Sequence, residues 1–230
     1  MACIVHIETA TDVCSVALSQ DGKVLLSREN HNGPQHNTVL GPYIEEMVSF
    51  ADSHAIPLDA VAVSKGPGSY TGLRIGVSTA KGLCYGRHLP LLSVSTLQLL
   101  CVPLLLNEEI PEGTLLCPMI DARRMEVYSA IYTSSLQEVK TISADVITPE
   151  SYSDILDKQP ILFFGNGAAK CKDVITHSNA RFYKDIVPLA KYMMPLAEKA
   201  FLNGKTEDVA YFEPFYLKEF IATVSKKNLF

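Results

Sequence analysis

The segment with the clearest chemical potential is a glycine-rich stretch over residues 66–72, which reads Gly-Pro-Gly-Ser-Tyr-Thr-Gly. Glycines permit tight turns, and free backbone N–H groups at the start of a following helix can bind a phosphate. The stretch is not a Walker A loop, because Leu73 and Arg74 follow it, and it is not GxGxxG. A structural interpretation stays open, in which Ser69 or Thr71 caps the helix.

A second glycine turn, Gly165-Asn166-Gly167-Ala168, also joins a predicted strand to a predicted helix. A nucleotide can lie against such a turn, although a turn that needs positive φ is the favoured explanation. Asp121 at a hairpin tip can hold a metal ion or a water molecule, or it can satisfy its own backbone. Glu8, at the end of the first strand, has the same alternatives. Gly165, Gly167 and Asp121 together form a weak, degraded candidate nucleotide site.

No catalytic set is evident beyond these segments. The six histidines never stand four apart on one predicted helix, and neither HExxH nor GxSxG occurs. The six cysteines form no CxxC pair and lie mostly in apolar runs, which predicts buried free thiols in a reducing compartment. We therefore expect no metal site and no catalytic residues.

Composition predicts a globular protein of one or two domains. The 230 residues are 47% hydrophobic, and 20 basic against 25 acidic residues give a net charge of −5. This balance argues against disorder and against a dedicated nucleic-acid binder, because phosphate affinity depends on clustered Lys and Arg. The N-terminal run carries His6 and Glu8, unlike a signal peptide, and the longest apolar run is too short for a membrane. A soluble cytoplasmic protein is expected.

The elements that must position these residues follow one order twice, a strand meander and then alternating helix and strand. In the first half, Asp21-Gly22 predicts a hairpin, and spacing predicts helices over 37–51, 74–86 and 95–106, with a start or kink at Gly41-Pro42. In the second half we expect helices over 149–158, 168–175 and 188–202. Two related α/β lobes are predicted, and clefts between such units commonly bind ligands.

The polar stretch 107–113 is the best domain boundary. It separates an N-terminal lobe, residues 1–107, from a C-terminal lobe, residues 108–208. The aromatic tail, residues 209–230, is expected to pack back on the first lobe, because its rings would be costly in water. The helix that follows the glycine loop is rich in small residues, so a helix of this chain or of a partner can approach it closely.

Four segments resemble the bacterial TsaB (YeaZ) family. They read IVHIETATDVCSVAL from residue 4, GPGSYTGLR from residue 66, MIDARRMEVYSA from residue 119 and FGNGA from residue 164. The resemblance covers nearly the whole chain, and the second segment is highly specific. It implies the actin-like ATPase fold, of the sugar kinase/chaperone and RNase H-like type, in two related lobes.

The resemblance also implies a function. Members of that family are non-catalytic scaffold or activator subunits that dimerise with TsaD, which transfers a threonylcarbamoyl group to the tRNA adenosine next to the anticodon. A small ATPase, TsaE, joins them, the isolated subunit forms a homodimer, and tRNA is met only through the complex. No cofactor of its own is expected, beyond weak binding of ATP or ADP. The alternative is a glycoprotease-like or small-molecule kinase enzyme of the same fold.

Departures from active relatives support a pseudo-enzyme. Thr96 and Leu100 stand where the paralogue has two metal-binding histidines, and neither can replace an imidazole. Glu8 replaces the usual first-strand Asp, and the second phosphate hairpin, glycine-rich in active relatives, carries Arg123 and Arg124. These side chains crowd a phosphate, although arginines can also contact one.

The resemblance places the partner interface on the first-lobe helices. Its predicted residues are Tyr70, Thr71, Arg74, Gly76, Val77, Ala80, Leu40, Ile44 and Met47. On this hypothesis, Gly76→Leu or Ala80→Leu leaves the fold intact and abolishes the heterodimer.

Overall fold

The computed structural model describes residues 2–33, 35–184 and 186–218. Residues 219–230 of the predicted tail lie outside the described residues. The elements are β1 (Cys3–Glu8), β2 (Cys14–Gln20), β3 (Lys23–Asn30), α1 (His36–Ser53), β4 (Ala60–Gly66), α2 (Tyr70–Arg87), β5 (Leu91–Ser95), α3 (Thr96–Asn107), β6 (Leu115–Asp121), β7 (Glu126–Tyr132), β8 (Glu138–Val146), α4 (Ser153–Leu156), β9 (Ile161–Phe164), β10 (Ala180–Phe182) and α5 (Met194–Leu202). Single 3₁₀ turns lie at Ala169–Cys171 and Ala190–Tyr192.

The described strands form two five-stranded sheets with one topology. The order is β3-β2-β1-β4-β5 in the first sheet and β8-β7-β6-β9-β10 in the second. In each sheet the first three strands are antiparallel, and the fourth and fifth are parallel to the first. The repeated strand order confirms the two related α/β lobes that the sequence predicted.

The first hairpin forms where the Asp-Gly pair predicted it. Asp21 and Gly22 both have positive φ, 52° and 74°, as a two-residue turn between β2 and β3 requires. Residues of β1 then alternate between two buried faces. Cys3, Val5 and Ile7 pack under α1 and α2, whereas Ile4 faces the other way.

The second face of the first sheet is covered by α5. Met193 and Ala197 pack there against Ala2, Ile4 and Ala60. The predicted C-terminal lobe, residues 108–208, therefore includes a helix that packs on the first sheet. The sequence pattern gave no sign of this, because an amphipathic helix does not encode which sheet it covers.

Helix α3 lies between the two sheets. Leu99 packs with residues of the first sheet, whereas Leu97, Leu100 and Leu104 pack with Leu116 and other residues of the second. Most of its side chains are buried, as expected for a helix that is apolar on all sides.

A helix start or a kink was predicted at Gly41-Pro42. The start is wrong, because helix α1 continues through both residues. The helix begins at His36 and contains Pro42 in its interior. Proline removes one hydrogen bond from a helix. Burial of Leu40, Ile44 and Met47 against the first sheet offsets that loss.

All six cysteines are free thiols and buried, as predicted. Burial raises the pKa of each thiol above its usual value, for example to about 11 at Cys3 and about 12 at Cys84. None of the helices in the described part of the chain has the length and apolar character needed to cross a bilayer.

The central position of α3 generates a stability prediction. Leu100 is 1% exposed, whereas Leu106 on the same helix is 65% exposed. Leu100→Ala should lower the free energy of unfolding by about 2–5 kcal/mol, because it leaves a cavity between the sheets. Leu106→Ala is the matched control and should change it by less than about 0.5 kcal/mol. Urea denaturation of both variants measures the difference, and equal values would contradict the central role of α3.

Candidate functional site

A cleft of about 640 Å³ lies between the two lobes. Its walls follow the carboxyl ends of central strands: Ala10 to Asp12 after β1, Gly68 to Thr71 after β4, Ile120 to Arg124 at the end of β6, and Asn166 after β9. Ligands of open α/β sheets bind outside such strand ends. Because the two lobes share one topology, the corresponding edges of both sheets open onto one space.

The glycine-rich loop forms the first-lobe wall as the start of α2. This helix begins at Tyr70, four residues earlier than predicted, because the side chain of Ser69 caps it by accepting the Gly72 N–H at 3.2 Å. The structural interpretation of the loop, in which a hydroxyl caps the helix, is thus confirmed for Ser69. The structure places Tyr70 and Thr71 at the cleft and Arg74 on the exposed side of α2.

Glu8 is a completely buried carboxyl group beside this wall. Its Oε1 accepts the N–H of Ala10 at 2.5 Å, whereas its Oε2 has no partner among the described residues. Burial raises the pKa of Glu8 to about 7, and hydrogen bonds from Ser64 and from the backbone of Ala10 and Thr9 oppose that rise. The carboxyl group therefore keeps its proton to a higher pH than an exposed glutamate does.

Asp121 forms the second-lobe wall and is engaged within its own lobe. Its carboxylate accepts the N–H of Arg123 at 2.8 Å and forms a salt bridge with Lys170. Its own N–H donates to Asn166 Oδ1 at 2.9 Å. Lys170 also donates to the carbonyls of Arg124 and Glu126, both at 2.7 Å. The acid therefore stabilises the hairpin between β6 and β7.

Gly165 and Gly167 permit close packing of the β9 turn against β6. A Cβ at Gly165 would lie 2.5 Å from the carbonyl oxygen of Met119, and Gly165 has a φ of +93°. A Cβ at Gly167 would lie 2.9 Å from the carbonyl carbon of Ile120. The close packing of this turn on β6 explains glycine at both positions without a bound nucleotide.

Two arginines occupy the tip of the β6–β7 hairpin and line the cleft. Arg123 and Arg124 have positive φ values of 71° and 50°, which cost a non-glycine residue roughly 1 kcal/mol each. Both side chains are exposed, and neither guanidinium has a hydrogen bond or salt bridge to another described residue. The hairpin therefore presents positive charge to the cleft.

Three of the α2 residues predicted at the partner interface lie on the inward side of the helix. Gly76, Val77 and Ala80 are buried in the first lobe, and a Cβ at Gly76 would overlap the hydroxyl of Thr9. These residues consequently belong to the fold's interior. Gly76→Leu cannot leave the fold intact, so that earlier expectation is wrong, because the small side of the helix faces the β1–β2 connection.

Leu40, Ile44 and Met47 were also expected at the partner interface, and the structure buries them in the core of the first lobe. Their helical spacing marks the inward face of α1. Periodicity identifies an apolar face, but it cannot distinguish the face that packs on the own sheet from one that meets a partner.

The sequence reasoning predicted Thr71 and Arg74 on the surface that α2 leaves exposed, but it missed Ser78, Gly82 and Tyr85. Tyr85 on α2 is 80% exposed. A Cβ atom added at Gly82, Gly86 or Gly41 would meet nothing within 4 Å. The sequence signal that could have identified these residues is their position on the side of α2 opposite its regularly spaced small and apolar residues. We call Thr71, Arg74, Ser78, Gly82 and Tyr85 the outward face of α2.

Thr96 and Leu100, which the family resemblance places where the paralogue has histidines, lie in the first half of α3. Thr96 is 0% exposed and Leu100 is 1% exposed. Within the described ranges, no group of three or more His, Cys, Asp or Glu side chains is arranged to hold a metal ion.

The repeated strand order, and a cleft at the carboxyl edges of both sheets, define the class of this protein as the actin-like ATPase fold. Its overall structure is similar to YeaZ from Pseudomonas aeruginosa, with a TM-score of 0.78 and 25% sequence identity over 94% of this chain and 100% of that one.

Sequence comparisons agree with the structural match. The family model described as TsaD, tRNA N6-adenosine threonylcarbamoyltransferase, matches residues 30–226. The tRNA threonylcarbamoyladenosine biosynthesis protein TsaB of Escherichia coli is 31% identical, over 95% of this chain and 96% of that protein. TsaB of Bacillus subtilis is 29% identical, over 94% and 93%. The chain belongs to the TsaB family.

The buried carboxyl group of Glu8 generates a pH prediction. The folded protein keeps this proton to about pH 7, whereas the unfolded chain loses it near pH 4.5. The contribution of Glu8 to the free energy of unfolding is therefore constant below pH 4.5 and falls as the pH rises from 4.5 to 7, by about 3 kcal/mol at 1.36 kcal/mol per pKa unit. Glu8→Gln should remove this fall, so its stability relative to the native chain should rise between pH 4.5 and 8. Parallel pH dependences for the two proteins would contradict the assignment.

The two sides of α2 generate a paired prediction. Gly76→Ala should lower the free energy of unfolding by about 1–3 kcal/mol, because the methyl group meets Thr9. Gly82→Ala should raise it by about 0.5–1 kcal/mol, because alanine favours a helix and nothing lies above this position. Thermal and urea denaturation check the opposite signs, and equal signs would refute the distinction between the two sides.

Proposed function

We propose that this chain is a non-catalytic subunit that pairs with a TsaD-type threonylcarbamoyltransferase and supports its modification of tRNA adenosine. The observation that carries the proposal is the match to TsaB proteins over nearly the full length of both chains. Those relatives are named for the biosynthesis of tRNA threonylcarbamoyladenosine.

The chemistry of the cleft supports a role without catalysis. Asp121 is engaged by Lys170 and by the hairpin backbone, Glu8 is buried, and arginines replace a glycine hairpin. Thr96 and Leu100 supply no imidazole where the paralogue has its metal ligands. We infer that the chain has no nucleotide-dependent reaction of its own and binds ATP or ADP weakly at most.

The outward face of α2 is the surface we assign to the transferase. It combines a protruding aromatic ring, Tyr85, with open space above Gly82 and Gly86, so a helix of the partner can approach the backbone closely. Helix α1 borders this face, and Arg87 and Asp52 join the two helices through contacts of 2.6 and 2.9 Å. A large exposed aromatic side chain beside glycine backbone is typical of a surface that a protein partner covers.

The remaining parts of the assembly belong to the same proposal. The helices are expected to support a homodimer when the transferase is absent, because the same face is then uncovered. TsaE is expected to join the heterodimer. The net charge of −5 favours contact with tRNA through the complex rather than through this chain alone.

A substitution at Gly82 tests the assignment of the outward face. Gly82→Leu should weaken association with the transferase at least tenfold and lower threonylcarbamoyl transfer to tRNA, because the new side chain occupies the partner's position. Its own stability should not fall, since nothing lies within 4 Å of an added Cβ. Analytical ultracentrifugation and a tRNA modification assay with the cognate TsaD and TsaE measure the two effects.

The matched control is Lys199→Leu. Lys199 is exposed on α5, which covers the opposite side of the first sheet from α2. This variant should bind the transferase normally. If transfer proceeds equally well without this chain, the proposed function is wrong. If transfer needs this chain but Gly82→Leu binds the transferase as well as Lys199→Leu does, the function stands and the surface is wrong.

A further inference from the structure

The C-terminal residues 207–218 form a continuous strap over the first lobe. Glu207 pairs with β5 through a hydrogen bond from its N–H to the Leu91 carbonyl at 2.8 Å. The strap then crosses α2, where Lys81 donates to the carbonyls of Ala210 and Phe212 at 3.1 and 3.0 Å. Val209 and Phe212 pack against the core of the first lobe.

The second half of the strap crosses the mouth of the cleft. The N–H of Phe215 donates to the Lys65 carbonyl at 2.7 Å, and the ring of Tyr216 lies 4.7 Å from that of Tyr70. Phe215 and Lys218 line the cleft, and Lys218 forms a salt bridge with Glu126 of the second lobe. One segment thus joins α2 to the hairpin on the other side of the cleft.

The strap also borders the outward face of α2. A groove of about 340 Å³ lies between them, with Arg74 and Ser78 on the helix side and Glu213 on the strap side. Tyr211, which precedes the groove-lining Phe212 in the strap, is 83% exposed. A protein seated on the outward face would therefore meet α1 on one side and the strap on the other.

We propose that the strap couples this partner surface to the inter-lobe cleft. A transferase bound to α2 contacts residues 211–213 and fixes the strap, and the strap then holds the arginine-bearing hairpin of the second lobe in place. The identity of the partner rests on the proposed function, whereas the hold on the hairpin depends on this chain alone. The part-exposed salt bridge between Lys218 and Glu126 contributes little by itself. Its hold on the hairpin therefore depends on how firmly residues 211–213 of the strap are fixed.

Two truncated chains isolate the cleft-crossing residues. A chain ending at Phe212 keeps the core contacts of Val209 and both acceptors of Lys81, and it loses Glu213 to Lys218. The matched control ends at Lys218. Hydrogen exchange is followed at Ala122 and Glu126, whose amides are hydrogen-bonded within the hairpin at 3.1 and 3.2 Å. Without any partner, these amides should exchange at least twofold faster in the shorter chain, and equal rates would overturn the proposal.

The same two chains are then measured with the cognate transferase. Binding should slow exchange at Ala122 and Glu126 in the chain ending at Lys218 but not in the shorter one, and slowing in both would overturn the coupling. Failure of both chains to bind would refute the proposed function instead, and the partner-free comparison would then decide whether the strap holds the hairpin.

A charge exchange keeps the test independent of truncation. Lys218→Glu and Glu126→Lys should each accelerate exchange at Ala122, and the double variant should restore the native rate. Acceleration that persists in the double variant would count against the strap, because it would show local damage to the hairpin rather than loss of the contact.

Discussion

The architecture depends on the burial of one helix between two sheets. Helix α3 has no solvent-facing stripe over most of its length, so it is stable only where both sheets cover it. Leu99 packs towards the first lobe and Leu100 towards the second, which fixes the distance between the lobes. The width of the cleft therefore depends on the apolar packing of α3 between the sheets, and not on the polar groups that line the cleft.

The duplicated strand order determines what the cleft contains. Because both sheets run in the order third, second, first, fourth, fifth, the ends of β1 and β6 occupy equivalent places. Glu8 and Asp121 are thus counterparts, yet one is desolvated and the other is paired with Lys170. Neither carboxyl group is therefore a free charge in the cleft. Burial favours the protonated form of Glu8, and Lys170 neutralises the charge of Asp121.

The sequence predicted element types well where local rules dominate, and it failed where tertiary packing decides. The Asp21-Gly22 turn and the strands of both meanders follow from turn chemistry and alternation. The second-lobe helices do not: α4 has four residues, and the segment after Gly167 forms only a 3₁₀ turn. For the site, Ser69 was predicted as a helix cap, whereas the family resemblance placed Gly76 and Met47 on a partner face, and helical spacing alone could not show that both are buried in the first lobe.

The position of α5 has a consequence for synthesis on the ribosome. The first sheet is built by residues 3–95, but the face that carries Ile4 and Ala60 is covered by a helix that starts at Met194. During translation this apolar face stays open until the whole second lobe has emerged, and domains generally fold in the order in which they are made. The first lobe to be synthesised is consequently the last to be completed, and a ribosome that stops within the second lobe leaves an exposed, aggregation-prone sheet.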